Sequence, residues 1–264
     1  MDRRTMIAGA SGLAATLAMG APLRAKEGEK VVEQKPFTIG MIAFDMMTNL
    51  DFVGPFDILS RVQGARTIVL GKSLDPITTD SKYRLLPEMR LADAPELDML
   101  FVPGGAGTTG LIEDAEVLAF LRERAPRAKW ITSVCTGALV LGAAGLLKGY
   151  RAATHWRTME ILPVLGAIPV DERVVMDRNR VTGGGVTAGI DFALTLIAHI
   201  WGEDQAKLIQ LGNEYNPQPP FDAGHPKRAP EVAARYRELT KGMTNARMEA
   251  AKRAAGRLGI APTA

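Results

Sequence analysis

The chain has 264 residues, 47% of them hydrophobic, which is enough for one domain with a sizeable core. Its single cysteine, Cys135, excludes an intrachain disulfide framework, so the thiol is either a small core residue or a reactive group. The net charge of +3 falls to about +1 once residues 1–25 are set aside, too little to argue for a nucleic-acid partner.

Residues 1–25 carry the pair Arg3–Arg4, an apolar run of small residues and a processing point after Ala25. They read as a twin-arginine-type signal peptide, and the apolar run is short for a spanning helix. The expectation is a periplasmic protein, exported already folded, with no stable membrane association after cleavage. Residues 26–36 are a charged linker. FTIGMIAF (37–44) is a strand buried on both faces. After a loop, GPFDILSRV (54–62) opens a helix with Pro55 in its first turn. RTIVLG (66–71) and LDMLFVPGG (97–105) are further strands, 113–125 has helical spacing, and KWITSV (129–134) is again a strand. Past Cys135 the chain turns helical, then extends through YRAATHW (150–156). ERVVMDRNRVT (172–182) reads as a hairpin turning at Asp177–Asn179. Residues 183–201 form a glycine turn feeding an apolar helix, another helix covers Asp204–Asn213, and residues 217–226 are a proline-rich surface segment. The expected organisation is a domain over 37–226 and a helical tail over 227–264. From Lys227 to Arg257 nine Lys/Arg face three Glu, which reads as a solvated helix face. Alternating buried strands and helices predict an α/β fold: a doubly wound, mostly parallel sheet with helices on both faces.

Sites in such sheets form at the carboxyl ends of strands. Cys135 falls at a strand–helix junction, where a sharp turn projects a nucleophile and the helix N-terminus favours thiolate over thiol. PGGAGTTG (103–110) fits the dinucleotide pattern G-x-G-x-x-G literally, but the strand is not the first of its unit and no acidic residue ends the next one. Gly104 and Gly105 read instead as a tight turn offering N–H groups to an anionic intermediate, or as a plain loop. Asp51, between the first strand and its helix, is a candidate acid/base if burial raises its pKa, with Asp45 competing in the same loop. Of three histidines, His155 follows the nucleophile and is a possible secondary site residue; His199 and His225 read as structural or exposed. No cluster has metal-ligand spacing, so neither metal nor cofactor is expected.

The stretches LDFVGPFDIL, DMLFVPGGAG, TSVCTGALVLGAAGLLKGYRAATHW and TGGGVTAGIDFALTL resemble the DJ-1/PfpI superfamily, most of all its isonitrile hydratase branch. The resemblance runs from about Phe37 to the end. It implies a flavodoxin-like fold, a homodimer, a Cys135 nucleophile, Asp51 as acid/base, and Thr136 and the amides of Gly104 and Gly105 as orienting groups. The implied reaction adds water to a small-molecule isonitrile, giving an N-substituted formamide through a cysteine thioimidate. Protease-like relatives place His where Thr136 stands, which weakens a peptidase reading. Related regulators append two helix-turn-helix units, for which 227–264 is too short, so DNA binding is not expected. A glyoxalase- or deglycase-like cysteine enzyme, or a non-enzymatic redox or stress protein using Cys135 as an oxidisable thiol, are the alternatives.

Overall fold

The computed structural model describes residues 35–261; the segment read as a signal peptide (1–25) and most of the linker lie outside them. The chain begins with β1 (Phe37–Ile42), α1 (Asn49–Leu59) and β2 (Ala65–Gly71), followed by a small hairpin of β3 (Ile77–Thr78) and β4 (Arg84–Leu85). Next come β5 (Met89–Arg90), β6 (Met99–Val102), the short α2 (Thr108–Leu111) and α3 (Ala115–Arg124). The strand β7 (Trp130–Val134) leads into α4 (Gly137–Ala143). Two short parallel strands, β8 (Arg151–Ala152) and β9 (Ile168–Pro169), bracket two 3-10 segments, Trp156–Ile161 and Pro163–Leu165. The hairpin β10 (Val174–Asp177) and β11 (Arg180–Gly183) precedes α5 (Ala188–Trp201), α6 (Glu203–Gly212) and the long α7 (Pro230–Arg257).

Seven strands form the main sheet in the order β10–β11–β7–β6–β1–β2–β5, all parallel except the β10–β11 pair. The central strands β6 and β7 are buried, with Met99, Leu100, Phe101, Val102, Ile131 and Val134 inaccessible to solvent and Thr132 and Ser133 buried among them. Helices cover both faces, as a parallel sheet requires. The chain winds outward from β1 to β2 and then returns to the other side of β1 at β6, so a switch point lies between β1 and β6. Loops leaving two adjacent strands in opposite directions there open a crevice at their carboxyl ends. The loop after β1 meets the glycine turn after β6 directly, through an isolated bridge between Met47 and Gly105.

Three expectations change. The first helix starts at Asn49, five residues earlier than Gly54, so Asp51 lies in its first turn and Pro55 inside it. Thr48 provides no side-chain cap of its own; Asp80, from the loop after β3, accepts from Asn49 N–H at 3.1 Å and Thr48 Oγ1 at 2.8 Å. That borrowed carboxylate extends the helix backward, a long-range effect no local pattern carries. His155 does not end a strand: β8 stops at Ala152, and His155 caps the first 3-10 segment, its Nδ1 accepting from Arg157 N–H. The two-residue strands β3, β4, β5, β8 and β9 are too short to leave a periodic signal.

The tail is not only a solvated face. Ala250, Ala251, Ala254 and Ala255 of α7 are buried, and so is Arg247, at 1% exposure. The remaining charges of α7 do face outward, in pairs such as Arg253–Glu113 at 2.6 Å.

Candidate active site

Cys135 stands immediately after β7, between the glycine turn after β6 and the Gly183–Gly184 end of β11. Its backbone is left-handed, φ +55°, a strained conformation for a residue with a side chain. The strain is held by neighbours: Cys135 N–H donates to the carbonyls of Gly183 (3.0 Å) and Gly184 (2.8 Å), and Thr154 Oγ1 donates to Cys135 O (2.8 Å). Gly137 lets α4 start directly against β6, since a Cβ there would strike the Val102 carbonyl oxygen. Chain geometry therefore turns the thiol out of the sheet plane at the switch-point crevice.

Asp51 has no solvent exposure, and neither carboxylate oxygen has a well-formed hydrogen bond. Burial raises its pKa to about 7, opposed by the nearby Cys135 thiol and Gly104 N–H, with the charge of Asp80 adding to the rise. Burial likewise pushes the Cys135 thiol well above its usual value, and the Asp51 carboxylate pushes it further. The N–H groups of Thr136 and Val186 face the sulphur and oppose this. Backbone donors do favour the thiolate, as the helix N-terminus suggests, while burial and the Asp51 charge act against it and hold the thiol pKa above its usual value. Burial therefore favours the protonated form of both groups.

Thr136 ties the turns together. Gly105 N–H donates to Thr136 Oγ1 at 2.9 Å, and Thr108 Oγ1 lies 3.1 Å from the same oxygen. The Gly105 amide is therefore occupied and not free to meet an anionic intermediate, contrary to the sequence expectation. Gly104 N–H instead faces Asp51. The donors that do face the sulphur are Thr136 N–H and Val186 N–H; the latter is a backbone group in the GGGVT turn that composition cannot reveal.

Asp45 stands apart, accepting from Thr78 N–H at 2.8 Å and bracing the β3 loop. His155 forms no hydrogen bond to Cys135. Its ring packs over Gly185, 3.3 Å from where a Cβ would sit, and burial, with Arg157 and Arg247, lowers its pKa to about 4, so it is neutral. His199 packs edge-on against Trp130, and His225 meets Asp171 at 3.3 Å. A cavity of about 440 Å³ lined by Thr154, His155, Trp156, Gly184, Gly185 and Val186, among others, reaches the turn that faces the sulphur.

Arg247 is the residue the sequence reading left out of the site. Its Nη2 donates to Gly105 O at 3.0 Å, on the same glycine that Thr136 holds. A signal existed: Arg247 lies three, four, seven and eight residues before the buried Ala250, Ala251, Ala254 and Ala255, on their helical stripe.

A doubly wound sheet with a strained cysteine at a strand–helix elbow and a buried carboxylate beside it defines a class of cysteine enzymes on a flavodoxin-like fold. The chain belongs to the DJ-1/PfpI family, whose pattern matches residues 38–199. It is 48% identical over 223 residues to the isonitrile hydratase of Pseudomonas putida, covering 84% of this chain and 98% of that protein. A THiJ/PfpI family protein from Pseudomonas syringae superimposes with a TM-score of 0.80 at 42% identity, covering 91% of this chain and 99% of that one. The transcriptional regulator GbdR of Pseudomonas aeruginosa is 27% identical over 67% of this chain, which spans half of the regulator's length.

Proposed function

We propose that this protein is an isonitrile hydratase, adding water to R–N≡C to give R–NH–CHO. The observation that carries the reading is the Asp51–Cys135 pair: isonitrile hydration places a nucleophile and a proton on one carbon, and here both groups converge across Gly104. The 48% identity to the Pseudomonas putida hydratase over most of both chains supports it.

In this mechanism Asp51 takes the thiol proton of Cys135. The sulphur attacks the terminal carbon while Asp51 returns that proton to the same carbon, giving the thioimidate R–N=CH–S–Cys. Asp51, again a carboxylate, then removes a proton from water as its oxygen adds to that carbon. Asp51 passes that proton to the nitrogen, giving the adduct R–NH–CH(OH)–S–Cys; the C–S bond then breaks as the hydroxyl proton is transferred to the sulphur, and formamide leaves. The N–H groups of Thr136 and Val186 stabilise charge on sulphur in both half-reactions. The Thr136 hydroxyl positions the glycine turn. His155, neutral, forms part of the cavity wall.

Incubation with an alkyl isocyanide, followed by mass spectrometry for the formamide, tests the reading. Turnover by the wild type and none by Cys135→Ala is expected; full activity in Cys135→Ala, or no formamide from folded wild type, rejects it. Export through the twin-arginine route is part of the proposal, supported by Arg3, Arg4 and the apolar run before Ala25. Cell fractionation, with and without Arg3→Lys and Arg4→Lys, checks it. A homodimer, as the family resemblance implies, is checked by light scattering.

A further inference from the structure

Two carboxylates stand at the N-terminal turn of α1, and only Asp80 serves the helix. Thr48 is the N-cap residue and Asp51 falls three positions after it. At that spacing an acidic side chain reaches back to the free N–H groups of the helix end. Asp51 does not. It has no solvent exposure, and both its oxygens are buried without a partner. Its Oδ2 lies instead against Gly104, where a Cβ would sit 2.6 Å from that oxygen and 2.7 Å from Cys135 Cβ. The capping bonds are made from elsewhere. Thr48 N–H donates to Gly104 O at 2.9 Å, Thr48 Oγ1 to Asp80 Oδ2 at 2.8 Å, and Asn49 N–H to Asp80 Oδ1 at 3.1 Å. Backbone contacts keep Asp80 there: Asp80 N–H donates to Met47 O at 3.0 Å, and Met46 N–H to Thr78 O at 2.8 Å. Thr78 N–H in turn donates to Asp45 Oδ1 at 2.8 Å. The hairpin of β3 and β4 thus braces the loop that carries the acid/base group.

We infer that Asp80 is a positioning residue of the active site: by capping α1 from outside the helix, it leaves the Asp51 carboxylate free to face Cys135. An uncapped helix end attracts a carboxylate of its first turn, through unpaired N–H groups and through the positive end of the helix dipole. Asp51 is the one acidic residue in that turn. Without Asp80 the Asn49 N–H stands open, and Asp51 turns toward it and away from the sulphur. A carboxylate bound in that way is also held ionised, which unsuits it to take and return a proton. The titratable groups that face Asp51 are Cys135 and Asp80, and the charge of Asp80 favours the protonated acid. The part of Asp51 in turnover rests on the hydratase reading, whereas its placement by Asp80 does not. The competing role for Asp80, a cap that only stabilises α1, leaves unchanged what Asp51 faces.

Asp80 is exposed, so truncating it opens no cavity. In Asp80→Ala, iodoacetamide labelling of Cys135 is expected to rise at lower pH than in wild type, by roughly one unit, because the charge opposing the thiolate has turned away. The same substitution in Asp51→Asn protein is expected to add no further shift, since the group it acts through is gone. Formamide production by Asp80→Ala is expected to fall by about tenfold or more in kcat with little change in KM. Asp80→Asn, whose Oδ1 still accepts from Asn49 N–H, is expected to recover most of that loss. An unchanged labelling profile in folded Asp80→Ala, or an equal shift in the two backgrounds, overturns the inference, and Asp80 then serves the fold alone. An Asp80→Asn variant no better than Asp80→Ala overturns it as well. Should wild type give no formamide, the hydratase reading fails, and the labelling comparison still decides the role of Asp80.

Discussion

Asp51 and Cys135 meet across a single glycine: a Cβ on Gly104 would lie 2.6 Å from Asp51 Oδ2 and 2.7 Å from Cys135 Cβ. It would also lie 2.6 Å from Thr136 N. No flexible side-chain end yields on the Thr136 side, so the carboxylate and the elbow must move apart. Gly104→Ala is expected to lower turnover by about a hundredfold or more while destabilising the fold by roughly 1–3 kcal/mol. Steady-state kinetics and urea unfolding of the purified variant measure both; near wild-type turnover would show that the pair does not need this spacing.

Asp51→Asn separates catalysis from stability. Below about pH 4 Asp51 is protonated in both folded and unfolded chains and makes no difference. As pH rises to about 7 the unfolded chain ionises while the folded one keeps its proton, so wild type loses stability progressively; above that the loss is constant. The variant carries no such penalty. Its stability relative to wild type should therefore rise between these limits, by up to roughly 4 kcal/mol, while turnover falls by about two orders of magnitude or more. Urea denaturation across that pH range, read beside formamide production, checks both parts.

Since Cys135 is the only thiol, alkylation by iodoacetamide reports on it without background. Burial and the neighbouring Asp51 carboxylate both raise the thiol pKa. Wild-type labelling should be slow at neutral pH and rise only at alkaline pH. Asp51→Asn should shift that rise to lower pH, because it removes the charge that opposes thiolate. A shift in the other direction would mean that the carboxylate does not face the sulphur.

Thr136→Val is nearly isosteric but removes the oxygen that receives Gly105 N–H and meets Thr108 Oγ1. Leaving the buried Gly105 N–H unpaired, while Thr108 Oγ1 keeps its bond to the Gly105 carbonyl, should cost roughly 2 kcal/mol, and the loosened turn should lower turnover. Thr136→Ser keeps the hydroxyl and should recover most of both. Thermal unfolding of the two variants side by side distinguishes loss of the oxygen from loss of the methyl.

The sequence by itself determined the alternation of buried strands and helices, the cysteine at its elbow and the aspartate after the first strand. Each is written in contiguous residues: apolar runs of strand length, glycines where backbone approaches backbone, and a lone thiol at a strand–helix boundary. Tertiary structure decided what those residues do to one another. The start of α1 depends on Asp80, 29 residues beyond Asp51, and no local cap encodes it. The occupied Gly105 amide, and Val186 N–H as its replacement near the sulphur, are outcomes of chain crossings at the switch point. Protonation of the Asp51–Cys135 pair follows from desolvation, a property of everything packed around it. Arg247 reads in the sequence as one charge among nine Lys/Arg in the tail, and only the docking of α7 carries it to Gly105, 142 residues earlier in the chain. Local pattern fixes what a segment becomes, whereas burial and charge at a site are sums over segments that the chain brings together from far apart.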